Sequence, residues 1–297
     1  MKKILVLIIG TLIISSCGKG SKTITPQQVT AADKTVDTNQ QPTDFERIPN
    51  EPQDSLNKLP DFEAIIKSVQ FSTDGKRSKN IINLFAPDSL MITADVYTTE
   101  RDNPFILLCH QAGYSRGEYV NTVKELMLMG YNCVAIDQRS GDKVNGVINE
   151  TAKRAIEKGL PHEYLDAKKD ILTAIEFTYL LNKKQPITIV GSSYSASLVM
   201  MLSVRNPKIA KVVAFSPGEY FKGVSIMENL AGFDKPIFVT GAKKEIPAIK
   251  KLTTLIVPDY LNLYEPSKES VHGSRALWFA TPGYVATWKA FKAFLKK

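Results

Sequence analysis

The sequence predicts an α/β domain whose sheet is mostly parallel and covered by helices on both faces. Three observations point there. Beyond residue 104, short apolar runs alternate with longer segments whose apolar residues recur every three or four positions. The runs "PFILLC", "YNCVAID", "ITIV", "AKVVAF" and "PIFVT" are apolar almost throughout, as strands buried on both faces must be. Upstream of them lie strand-like stretches divided by turn residues, the pattern of an antiparallel start.

Taken in order, "AIIKSVQF", "KNIINLFAP" and "LMITADVYT" read as strands, separated by Asp74-Gly75 and Pro87-Asp88. "PFILLC" leads to a helix over roughly 117–129. "YNCVAID" leads through a long connection, 139–162, to the helical "EYLDAKKDILTAIEFTYLLNK". "ITIV" precedes the helix "YSASLVMMLSVR", which stops before Asn206-Pro207. "AKVVAF" is followed by a short helix near 222–231, and "PIFVT" by one near 246–256. "YLNLY" and the terminal helix "GYVATWKAFKAFL" complete the domain.

The chain opens with Met1-Lys2-Lys3, a mostly apolar stretch from Ile4 to Ile14, then Ser15-Ser16-Cys17. This is the layout of an export signal, too short to cross a bilayer as a helix. "ISSC" resembles the bacterial lipobox, in which the cysteine is acylated and becomes the first mature residue; the alternative is an ordinary cleaved signal with an incidental Cys17. Residues 18–60 are rich in Thr, Gln, Asp, Pro, Asn and Lys, and bury too little apolar surface to offset their ordering entropy. The expected organisation is therefore a leader at 1–16, a lipidated Cys17 and flexible tether over 17–60, and one domain over 61–297. That places the protein in a bacterial cell envelope, held to the membrane by its N-terminal lipid.

The formal charge is +8, without the aromatic-basic interleaving or Lys/Arg block of a nucleic-acid site. Nucleic acid is not an expected partner. Cys109 and Cys133 sit inside apolar strand runs and read as core thiols, not as a disulfide or a nucleophile.

The stretch "IVGSSYSASL" holds four serines behind a β-branched run. A nucleophile on a sharp strand-to-helix turn needs small residues two positions before and after it, the logic of G-x-S-x-G. Ser192 has Val190 and Tyr194 at those positions, Ser197 lies within the helix, and Ser195 is too far from the strand end. Ser193 fits, flanked by Gly191 and Ser195. A serine hydroxyl needs a base. The histidines are His110, His162 and His272, and in the fold that carries this elbow the base follows both serine and acid. His272 alone does so.

The motifs "LLCHQAGYSRGEY", "AIDQRSG", "VGSSYSAS", "FSPGEYFKGV" and "VHGSRAL" occur in an order that resembles the α/β-hydrolase superfamily, closest to its dienelactone-hydrolase-like and esterase-like branch. The resemblance covers about 90–297 and implies an eight-stranded α/β-hydrolase fold and a serine hydrolase of carboxylic esters or related acyl bonds, needing no metal or organic cofactor. Members named for dienelactone hydrolysis use Cys where this chain has Ser193, so that substrate is not implied. The family places an Asp after the strand matching "PIFVT", where this chain reads "GAKKEIP". Glu245 is the expected acid and Glu219, in "SPGEYF", its rival. "HQAG" takes the place of the oxyanion loop, with the N–H groups of Gln111 and Tyr194 as donors and His110 as a loop-shaping side chain. The connection 139–162 either covers part of the pocket or packs on the surface. The missing Asp, with Lys243 and Lys244 beside Glu245, keeps a second possibility: a non-catalytic, membrane-tethered binding protein on a hydrolase scaffold.

Overall fold

The computed structural model describes residues 62–71 and 76–297. The expected leader, Cys17 and the tether lie outside the described residues. The first element is helix α1 (Glu63–Ser68), not the strand expected from "AIIKSVQF". Strand β1 (Ser78–Phe85) is at the sheet edge and pairs only with β2 (Met91–Thr98) among the described residues, so this segment does not extend the sheet. The helix instead lays Ile65 and Ile66 against the core and pairs Lys67 with Glu63 one turn away at 2.6 Å.

β1 and β2 are antiparallel, Ile82 facing Ala94, and β2 runs antiparallel to β4 (Asn132–Ile136). The rest of the sheet is parallel: β4, β3 (Phe105–Cys109), β7 (Ile187–Ser192), β8 (Ile209–Phe215), β9 (Ile237–Thr240) and β10 (Leu261–Leu263). The eight strands lie in the order β1-β2-β4-β3-β7-β8-β9-β10. A separate ribbon joins β5 (Lys143–Val144) to β6 (Val147–Ile148).

Alternate residues of each parallel strand feed two apolar layers. Leu107 and Cys109 point into the layer built with α4 (Lys168–Leu181), α5 (Tyr194–Ser203), α6 (Ile226–Asn229) and α7 (Ile246–Leu252). Ile106 and Leu108 point into the other, closed by α2 (Thr122–Leu128) and α8 (Tyr284–Leu295). Cys109 and Cys133 are buried and free, in opposite layers, and burial pushes both thiols up.

The connection 139–162 is held at its ends. The buried Arg139 guanidinium donates to Asp170 Oδ1 at 2.8 Å and to Asp88 Oδ2 at 2.6 Å, and reaches the Pro161 carbonyl at 3.4 Å. Helix α3 (Glu150–Glu157), in its middle, packs on the outer strand β2: Thr151 Oγ1 accepts from the Thr93 N–H at 2.9 Å. That helix is therefore a packed surface element. The ends of the connection do approach the site, where Tyr194 Oη donates to the Ser140 carbonyl (3.1 Å) and the Tyr164 ring, just beyond the connection, stacks on Tyr194 at 4.6 Å. Among the described residues no helix is long and apolar enough to cross a membrane.

Candidate active site

The carboxyl ends of β7, β8, β9 and β10 share one edge of the sheet, where parallel α/β folds gather functional groups. β7 ends at Ser192, and Ser193 turns the chain into α5 with φ 58° and ψ −126°. That backbone costs an L-residue about 1–3 kcal/mol. It is held by the Ser193 N–H donating to the Phe215 carbonyl at 2.8 Å and by the Ser193 carbonyl accepting from the Ala196 N–H at 2.8 Å. The turn is tight enough that a Cβ on Gly191 would lie 2.5 Å from the Ser195 carbonyl oxygen.

The four serines separate cleanly. Ser193 Oγ lies 2.8 Å from His272 Nε2. Ser192 Oγ accepts from the Ser274 N–H at 2.9 Å, and Ser197 Oγ donates to the Gly218 carbonyl at 2.7 Å. Ser195 Oγ donates to the His110 carbonyl at 2.5 Å and accepts from Gln138 Nε2. The place of the usual glycine is thus taken by a hydroxyl that ties the elbow to the "HQAG" loop.

His272 Nδ1 lies 2.6 Å from Glu245 Oε1. Glu245 Oε2 accepts from Ser216 Oγ at 2.6 Å and from the Ala242 N–H at 2.8 Å. Burial opposes the carboxylate charge, but the hydrogen bonds from His272, Ser216 and Ala242 outweigh it and hold Glu245 below its ordinary range. Lys243 does not divert it: its ammonium donates to the Ser267 carbonyl at 3.2 Å, and among the described residues neither Lys243 nor Lys244 pairs with a carboxylate. Glu219 is not brought to the histidine. Its two oxygens accept from the N–H groups of Ile226 (2.6 Å) and Met227 (3.1 Å), capping α6.

The Gln111 N–H, expected to face an oxyanion, donates instead to Glu118 Oε2 at 2.7 Å. Among the described residues the N–H groups of Tyr194 and Ala112 have no protein acceptor. Glu118 is fully buried; its other oxygen accepts from Ser274 Oγ at 2.5 Å, so one carboxylate joins the "HQAG" loop to the loop of His272. Burial pushes this carboxyl up against the pull of Ser274 and Gln111. Glu118→Ala would strand two buried donors, each costing roughly 1–3 kcal/mol. The expected result is a clear fall in the urea midpoint at unchanged m-value, with Glu118→Gln milder because an amide can still accept from Gln111.

His110 is buried and does not face Ser193. Its Nε2 accepts from the Gln138 N–H at 3.0 Å, which places the proton on Nδ1, donated to the Gln111 carbonyl at 2.9 Å. Burial lowers its pKa to about 4. The folded value lies below the unfolded one, so the native state binds fewer protons between pH 4 and 6.5 and loses roughly 3 kcal/mol as pH falls through that window. Asp137, raised by burial to about 6, works in the opposite sense over part of the same range. The clean readout is therefore long-range 1H–15N NMR: His110 is expected to stay a neutral Nδ1–H tautomer to near pH 4, and titration near 6.5 would contradict the assignment.

Sequence reasoning missed Ser216, Glu118 and Tyr220. Ser216, at φ 55°, links Glu245 to the Gly273 N–H (2.9 Å), and nothing in "FSPG" marks a serine for that task. Tyr220 Oη donates to the Ser216 carbonyl at 2.8 Å beside Ser193. Among the described residues no three His, Cys, Asp or Glu side chains cluster as a metal site.

No protein-family model matches the chain, and no curated protein does. Solved structures do. An esterase of Pyrococcus furiosus superposes with TM-score 0.54 at 16% identity, over 74% of this chain and 90% of its own. A dienelactone hydrolase of Anabaena variabilis gives TM-score 0.55 at 12% identity, over 74% and 96%. An acylaminoacyl peptidase of Pyrococcus horikoshii gives TM-score 0.55 at 14% identity, over 80% of this chain but 43% of that one. Likeness at such identity speaks to architecture alone, and with the strand order it establishes that this chain has the α/β-hydrolase fold.

Proposed function

We propose that the protein is a serine hydrolase that cleaves a carboxylic ester, or a related acyl bond, through a covalent acyl-enzyme. The observation that carries this reading is the continuous relay from Ser193 Oγ through the His272 ring to Glu245, at 2.8 and 2.6 Å. Glu245 holds the proton on Nδ1, which leaves Nε2 free to accept the serine proton as Oγ attacks the carbonyl. The imidazolium then protonates the leaving group, and water activated by the same nitrogen releases the acid. The free N–H groups of Tyr194 and Ala112 are the donors assigned to the oxyanion, each worth about 3 kcal/mol in the transition state. The fold neighbours include an esterase, a dienelactone hydrolase and a peptidase, which supports hydrolysis as the reaction class. The test is turnover of p-nitrophenyl acetate and butyrate by the purified chain; absence of both activities in a folded preparation would remove the ester reading.

The leader and Cys17 support a companion proposal, that the domain is lipid-anchored in a bacterial cell envelope. Radiolabelled palmitate should enter the wild type and not Cys17→Ser; equal labelling would exclude it.

A further inference from the structure

On the α2/α8 face of the sheet, opposite the layer that receives Ile65 and Ile66 of α1, residues of the two helices and of the loop before α8 line a groove of about 1080 Å³. Leu277 and Trp288 line it, as do Phe279, Tyr284 and Val285. Two of these large apolar side chains are turned to solvent, Phe279 at 84% and Val285 at 65% exposure, and the Phe279 ring meets Tyr284 edge-on at 5.6 Å.

Lysines line the same groove: Lys124 from α2, Lys289 and Lys292 from α8, and Lys296 just past its end. The single acidic residue lining the groove, Glu125, is already paired with Lys292 at 3.0 Å. Among the described residues no carboxylate pairs with Lys124, Lys289 or Lys296. The patch therefore combines protruding apolar groups with unneutralised cations whose methylene stems can lie along apolar surface while the ammonium groups reach outward. A small anion would use the lysines and leave Phe279 and Val285 in water. A neutral apolar ligand would leave the cations unanswered.

We infer that this face docks on an anionic phospholipid bilayer, with Phe279 and Val285 entering the headgroup–acyl boundary and the lysines meeting lipid phosphates. The residues ahead of the domain fit this arrangement. A chain running from Cys17 to Phe62 can span roughly 150 Å when extended, so an N-terminal anchor would confine the domain near a membrane without orienting it. The α2/α8 face supplies the orientation. It follows directly from the loops that hold the site, since Leu277 ends the turn that begins after His272 and α2 begins shortly after Glu118. Docking of this face requires no hydrolytic activity.

The test uses the full chain with vesicles of phosphatidylcholine alone or mixed with phosphatidylglycerol, each carrying brominated acyl chains. The apolar leader will bind any vesicle, so the readout must be local: quenching of Trp288 emission, with Trp288→Phe subtracting the contribution of Trp278. Quenching is expected on phosphatidylglycerol vesicles and should fall as salt rises. With all of the protein vesicle-bound, the double variant Lys289→Glu/Lys296→Glu should lower the ratio of docked to undocked domain, read from Trp288 quenching, at least about tenfold, and Phe279→Ser should also quench less. Both variants change exposed positions only, and unchanged thermal melting would show that they fold. Equal quenching on neutral and anionic vesicles would overturn the inference. So would quenching that survives the charge reversal, or co-sedimentation without Trp288 quenching, which would leave the leader alone as the membrane contact.

Discussion

Replacing Glu245 with Gln is expected to lower kcat about 10,000-fold and leave KM within a few-fold. The reason lies in which end of the new amide must face the histidine. The Ala242 N–H is an obligate donor and sits 2.8 Å from Oε2, so the amide oxygen is drawn to that position. The amide nitrogen then faces His272 Nδ1, where the carboxylate now accepts at 2.6 Å. A donor there forces the imidazole proton onto Nε2, and a protonated Nε2 cannot take the proton of Ser193. Glu219→Gln is the matched control: its oxygens only cap α6, and its kcat should stay near that of the wild type. A loss in Glu219→Gln comparable with that in Glu245→Gln would reverse the assignment.

Ser193→Ala is expected to have the larger effect, about a million-fold in kcat, with a residual rate supplied by substrate binding and the oxyanion donors. Fold loss is not a competing account for this variant. Alanine keeps the Cβ, so it carries the same strain at φ 58° as serine does, and the backbone bonds from residue 193 to Phe215 and Ala196 do not involve the hydroxyl. The stability change should be within about 1 kcal/mol, the scale of one hydrogen bond. Ester turnover at wild-type rate by Ser193→Ala would end the proposed mechanism.

These two residues show how much of the site can be read from the sequence. The elbow is a local problem: a sharp turn needs small flanking side chains, and only Ser193 has them at the end of a strand run. The base is a problem of chain order, solved by the position of His272 alone. The acid is different. Glu245 and Glu219 both follow strand ends, and what separates them is tertiary: Ser216 and the Ala242 amide aim one carboxylate at the imidazole, while the start of α6 takes up the other. Gln111 fails for a related reason. Which amide of "HQAG" stays free depends on Glu118, seven residues on, whose place in a short polar stretch gives no hint of full burial. In the same way "AIIKSVQF" has strand-like composition, but it leaves the outer edge of β1 unpaired and forms the helix α1, which lays Ile65 and Ile66 on the core. The parallel strands were legible because burial on both faces demands a continuous apolar run, which is a property of each segment taken alone.

The most direct measurement is mass spectrometry of the chain after reaction with a fluorophosphonate, which captures a serine only where a base and oxyanion donors activate it. A single adduct on Ser193 is expected, absent from Ser193→Ala and strongly slowed in Glu245→Gln. An adduct on another serine, or equal modification of wild type and Ser193→Ala, would contradict the assignment of Ser193 as the nucleophile.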